Sequence, residues 1–288
     1  PVPEPESVVL PEPVAADAEP AVPEPAAAWE PEPGPEKASS ATAVFARLHE
    51  SVAQGSPSDG DPTDEPHEPS ADELAFQHRT EALAPIEAEL AKRLKRALAD
   101  EQNEVLDALR RTSPTGAADL LQSADQHAAR WAEVVSASLV AAAKAGADYG
   151  TGKAGSTKDL AKQLAATLTG PLRDRIDRSF EAADGDLDAV ADRVRALYRE
   201  WKMQRLPEVG TTHVVAAYAR GLFDAANKGA KVRWVVDPSR PPCPDCDDNV
   251  LAGVVVKGEE FPTGNANAPA HPGCHCLVLV HEDVLLTD

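Results

Sequence analysis

The stretch from Ser70 to Arg111 constrains the fold more than any other part of the chain. "SADELAF" opens it with Ser70 as a helix cap and Glu73 three residues on, a capping-box pair. Ile86, Leu90, Leu94, Leu98, Val105 and Leu109 then fall on one face at helical spacing. Pro85 either kinks this helix or restarts it as a first-turn proline, and about seven turns of amphipathic helix follow. Because the stripe is one-sided, other helices must pack over it. Lys92, Arg93, Lys95, Arg96, Arg110 and Arg111 lie outside the stripe and read as a solvated face answering nearby acids.

The partners for that stripe follow in order. After "SPTGAADLL" a second long helical stretch carries Leu120, Leu121, Trp131, Val134, Val135, Leu139 and Val140 to about Ala147. "GADYGTGKAGSTKDL" then interrupts it. Five residues separate Gly146 from Gly152 where a P-loop has four, and Ala154 follows Lys153 in place of Ser or Thr. The stretch is therefore a Gly-rich turn, with Ser156 capping the next helix. Leu160 and Leu164 lie on that helix, and Pro171 starts another with Leu172, Ile176 and Phe180. Gly185 precedes a third, with Leu187, Val190, Val194, Leu197 and Trp201. "TTHVVAAYARGLFDAANKG" adds one more helix, stopping at Gly229. His127 and His213 read as packed or capping side chains, and no Ser-His-Asp arrangement assembles.

Composition sets a different expectation ahead of Ser70. Residues 1–70 hold 15 of the 26 prolines and 15 acidic against 2 basic side chains, so most of the formal charge of −20 belongs there. A Pro-Glu repeat with small residues between offers too little apolar surface to offset ordering entropy, which predicts an extended, disordered leader or linker. Its start at Pro1 rather than Met predicts a processed chain or the C-terminal part of a longer one. The net charge argues against a general DNA binder. No signal peptide is visible, and no apolar run approaches the roughly 20 residues of a membrane span.

After Gly229 the period shifts. "KVRWVV", "VLAGVVV" and "CLVLVH" read as short strands of a small antiparallel sheet, with every cysteine of the chain in the loops between them. Cys243 and Cys246 form a C-x-x-C knuckle among Pro241, Pro242 and Pro244; Cys274 and Cys276 close "HPGCHC". With no secretion signal, structural disulfides are not expected. A redox pair requires its motif at a helix N-terminus in a βαβ setting, and the prolines indicate a loop. The pattern predicts a closed, structural Zn2+ site held by Cys243, Cys246, Cys274 and Cys276, with His271 or His275 as a substitute for one thiol. A catalytic zinc would need an open position and a base such as Glu259 or Glu260. The fold class predicted is mainly α with a small C-terminal antiparallel β zinc module. Its regions are 1–70 leader, 71–150 long helices and 151–288 a domain ending in the zinc-knuckle sheet.

From about Leu160 to Val280 the chain resembles the phage Mu F-like minor head proteins, or phage head morphogenesis domains. The features that carry the resemblance are short helices, "GTTHVVAAYARGLFDAANKGAKVRWVVD", "CPDC", "LAG", "FPTG" and "APAHPGCHCLVLV", in that order. Two places depart from the family pattern: "GTTH", with Thr212 and His213, stands where many members carry an "ARTE"-like stretch, and His275 stands where they have a basic residue. The resemblance implies a structural, non-enzymatic component of a tailed phage or prophage head. It would be present in few copies in the virion, associated with the portal or major capsid protein, and in contact with packaged dsDNA. Portal fusions and toxin-attached domains occur in the family, so a portal fusion ahead of Pro1 is an expectation. A zinc-dependent hydrolase or nuclease and a toxin-associated or host-side binding domain stand as alternatives.

Overall fold

The computed structural model describes residues 68–241 and 244–281. The leader and its expected disorder, like Cys243, lie outside the described residues.

The stripe that opened the sequence becomes α1, Ala71–Arg111. Both halves of its capping box are made: the Glu73 amide donates to Ser70 Oγ at 3.2 Å, and the Ser70 amide donates to Glu73 Oε2 at 2.7 Å. Pro85 neither breaks nor restarts this helix, because it sits on the exposed face while Leu83 and Leu90 stay buried on the other. A short turn, α2 (Ala117–Leu120), leads to α3, Ala124–Tyr149, capped by Ser123. Helix α3 is the central element and buries Trp131, Val135, Leu139, Ala142 and Ala143.

Helix α4 runs unbroken from Lys158 to Glu181, with Pro171 inside it rather than at the start of a separate helix. Leu160, Leu164, Leu168, Leu172 and Ile176 are buried at strict four-residue spacing through the proline. Continuous burial of that stripe outweighs one missing amide donor. The glycine break holds where expected: Asp184 and Gly185 take positive φ of 46° and 85°. Asp186 then caps α5, Leu187–Glu200, by accepting from the Asp188 and Ala189 amides.

Helix α5 does not end before the next one. A π-turn, Trp201–Arg205, joins it to α6, Leu206–Ala225, with the Leu206 amide reaching the Trp201 carbonyl. Pro207 supplies the reason, since it has no amide to donate and its ring would crowd the carbonyl four residues back in a regular helix. Helices α3 and α6 cross with their backbones in near contact. A Cβ on Gly221 would lie 1.8 Å from the Ala143 carbonyl oxygen, and one on Gly146 would lie 2.1 Å from that of Tyr218.

Strands β1 (Lys231–Val235), β2 (Val254–Val256) and β3 (Leu277–Val280) form an antiparallel sheet in the order β2-β1-β3. Val232 pairs with Val255 and Val280, and Trp234 with Val278. The expected strand over "VLAGVVV" forms only in its second half. Val250 and Leu251 instead end α7, Pro244–Leu251, whose first turn carries Pro244, Asp245 and Asp247 as helix starts favour. One core cluster runs from Ala75 of α1 through the helices to Val278 of β3.

A carboxylate is buried inside the helical part. Glu101 of α1 is 1 % exposed and accepts from Trp131 Nε1 at 2.8 Å and from the Tyr198 hydroxyl at 2.9 Å, with His127 Nε2 at 2.8 Å. Three helices are thereby joined through one side chain. Burial pushes the Glu101 pKa up, but the hydrogen bonds and the His127 charge outweigh it and hold the group below its ordinary value.

Candidate metal centre

The sheet brings its connecting loops to one end, where the C-terminal cysteines meet. Cys246 lies in the first turn of α7, so this half of the knuckle is helical rather than the loop its prolines suggested. "HPGC" makes the other half: the Cys274 amide donates to the His271 carbonyl at 3.1 Å, Pro272 follows His271, and Gly273 takes φ of 80°. Proline second and a positive-φ glycine third is the type II turn pattern, and glycine is required there because a side chain would be strained. The turn sets His271 and Cys274 at its two ends.

These ends face Cys246. Its Sγ is 3.6 Å from Cys274 Sγ and 3.7 Å from His271 Nε2, and the three ligand atoms lie within 4.8 Å of one another. A disulfide has its sulfurs about 2.05 Å apart; Cys246, Cys274 and Cys276 are free thiols, all buried. In a tetrahedral shell with metal–sulfur bonds of about 2.3 Å and metal–nitrogen bonds of about 2.0 Å, sulfurs stand about 3.8 Å apart and a sulfur and nitrogen about 3.5 Å. The donors are thus spaced to hold a metal ion.

Protonation states agree with that spacing. His271 donates its Nδ1 proton to the Pro272 carbonyl at 2.9 Å, which leaves the Nε2 lone pair on the side of Cys246. Cys276 lines the same small cavity as Cys274 and Cys246, with its thiol beside theirs. That contact, outweighing burial and aided by backbone amides, lowers the Cys274 thiol to about 5, while the same contact and burial push Cys276 up. The cluster stabilises a thiolate, the form in which cysteine binds metal. Trp234 is buried beside this cluster's sheet, with no hydrogen-bond partner for its indole N–H among the described residues.

Behind the ligand turn lies a buried ion pair. Arg79 of α1 donates to Asp237 Oδ2 at 2.6 Å and to the carbonyl of His275, the residue between the two ligand-turn cysteines. Arg79 and Asp237 are 5 % and 3 % exposed. Burial raises Asp237, but hydrogen bonds from Ser239 and Arg79 outweigh it and keep the carboxyl low. Nearer the start of α1, Asp72 takes both ends of the Arg233 guanidinium, at 2.8 and 2.5 Å. The first three turns of α1 therefore hold β1 and the cysteine turn in place.

No family model, curated protein or solved structure matched this chain.

Of the residues predicted from sequence, Cys246, Cys274, Cys276 and His271 come together; Cys243 lies outside the described residues. His275 is not with them: burial, and the charges of Arg240 and Arg79, lower its imidazole to about 4. Its contribution is the carbonyl that Arg79 holds. Glu259 accepts from the Val256 amide at 3.1 Å, and neither it nor Glu260 belongs to a metal-ligating cluster among the described residues. Arg79 and Asp237, 158 residues apart, were not found from sequence. The one available signal was Arg79 falling on the buried face between Phe76 and Leu83. Among the described residues, no helix is long and apolar enough to cross a membrane.

Proposed function

We propose that this chain is a structural minor head protein of a tailed phage or prophage, acting in head morphogenesis at or near the portal. The observation that carries the reading is convergence. Cys246, His271 and Cys274, which lie within the motif order the resemblance rests on, gather in one cluster with Asp237 beside it.

In this reading the cluster holds Zn2+ through Cys246, His271 and Cys274, with Cys243 or Cys276 as the fourth ligand. A closed shell of three thiolates and an imidazole leaves no position for an activated water, so the ion acts as a clip. Three strands of three to five residues bury too little to stand alone. Metal binding at such sites contributes on the order of 10 kcal/mol to folding. The clip and the Arg79–Asp237 pair would then make the sheet a rigid surface for contact with the portal or capsid protein.

Mass spectrometry of purified particles and procapsids tests the assignment. The protein should be present at a small, fixed number of copies per particle. Its absence from both would overturn the virion reading in favour of a host-side or toxin-associated domain.

A further inference from the structure

Two stretches singled out in the sequence and not used by the metal cluster meet in one place. Thr212 and His213 of "GTTH" face the loop leading to "HPGC" across a groove of about 580 Å³, with α4 as its third wall. That volume is in the range of binding pockets. On α6 the lining residues Val209, Thr212, His213, Ala216 and Arg220 follow the spacing of one helix face. Arg205 lies at the other end, so the groove extends along fifteen residues of helical backbone, roughly 22 Å at about 1.5 Å per residue.

Its polar groups have unused capacity. His213 donates Nδ1–H to the Val209 carbonyl at 2.9 Å, which leaves Nε2 as an acceptor without a partner among the described residues. The amide side chains of Gln163 on α4 and Asn267 on the loop are likewise unengaged there. Arg205 and Arg220 each make a single contact, to Glu208 at 3.2 Å and Asp159 at 3.5 Å, leaving most of their five donors open. Between them the walls are low, formed in part by Ala216, Ala268 and Ala270.

We propose that this groove binds an extended, acidic peptide segment of a partner protein. About seven residues at roughly 3.3 Å each cover its length. Gln163 and Asn267 offer both donors and acceptors to a peptide backbone, and His213 Nε2 accepts from a backbone N–H. Acidic side chains near the two ends of the peptide meet Arg220 and Arg205. A small inorganic anion fits less well: it brings only acceptors, which His213 Nε2 repels, and it cannot reach two arginines so far apart. The loop wall of the groove ends at His271 and Pro272, beside the metal cluster, and the peptide contacts proposed here do not depend on the virion reading.

The test selects a random heptapeptide library against the full chain and titrates the best binders, fluorescently labelled, by anisotropy. Enriched peptides should carry Asp or Glu toward their ends. Arg220→Gln, at the surface, and Asn267→Ala should each weaken binding about tenfold, the worth of one lost charged or well-placed hydrogen bond. Melting temperature and metal content should stay unchanged. No enriched sequence, binding that both substitutions leave intact, or displacement by millimolar inorganic phosphate would each overturn the proposal. A chain absent from particles yet showing this selectivity would refute the phage-head reading alone.

Discussion

Arg79 reaches under the cysteine turn from a helix that begins far away in sequence, and this makes it the residue on which the candidate centre leans most. Removing a guanidinium from a buried pair strands the carboxylate it neutralised. Arg79→Ala is expected to destabilise the fold by about 3–5 kcal/mol, read from denaturant unfolding. Asp72→Ala, which breaks the more exposed pair with Arg233, should cost only about 0.2–1 kcal/mol; equal losses would contradict the distinction. Glu101 gives a second test, through pH. Its folded pKa is depressed, so its contribution is present above the unfolded value of about 4.3 and is lost as pH falls through the lower folded value. Glu101→Gln should therefore be less stable than the wild type at pH 7. The gap between their urea midpoints should narrow below about pH 4.3. A gap that stays constant down to pH 3 would exclude a depressed carboxylate.

At the scale of elements, the α3–α6 crossing rests on two glycines. Gly221→Ala places a methyl group where the Ala143 carbonyl stands, and forcing the helices apart is expected to cost about 1–3 kcal/mol or more in thermal unfolding. Gly170→Ala, on α4 with open space around its Cβ position, should be neutral or slightly stabilising. Much of this architecture was legible in the sequence. The stripes from Ile86 to Leu109 and from Leu187 to Trp201 carry the helical period plainly, and β1 and β3 sit where β-branched residues cluster. Proline misled twice. Pro171 looked like a helix start because the stripe crossing it was divided into two, and Pro244 looked like loop because C-P-D-C invites a knuckle. In both places burial and the acids of the first turn decided the outcome. At the site, the cysteines announced themselves, and the type II turn that selects His271 over His275 was foreshadowed by Pro272 and Gly273. The pairing of Arg79 with Asp237 is a long-range contact that local pattern does not encode.

For the molecule as a whole, helices and sheet share one core, and on the zinc reading the ion would brace the sheet more than the helices. Chelation should therefore act unevenly. Hydrogen exchange after metal removal should show β1, β3 and the 261–276 loop losing protection, while the middle of α3 keeps it. Uniform loss would mean that the whole fold depends on the ion, and no change would mean that none of it does. The most direct test of the central claim is the zinc-edge X-ray absorption spectrum of the purified protein. The geometry predicts one zinc per chain with three sulfurs at about 2.3 Å and one nitrogen at about 2.0 Å. Protein that folds without stoichiometric zinc, or zinc bound only by light oxygen and nitrogen atoms, would contradict it.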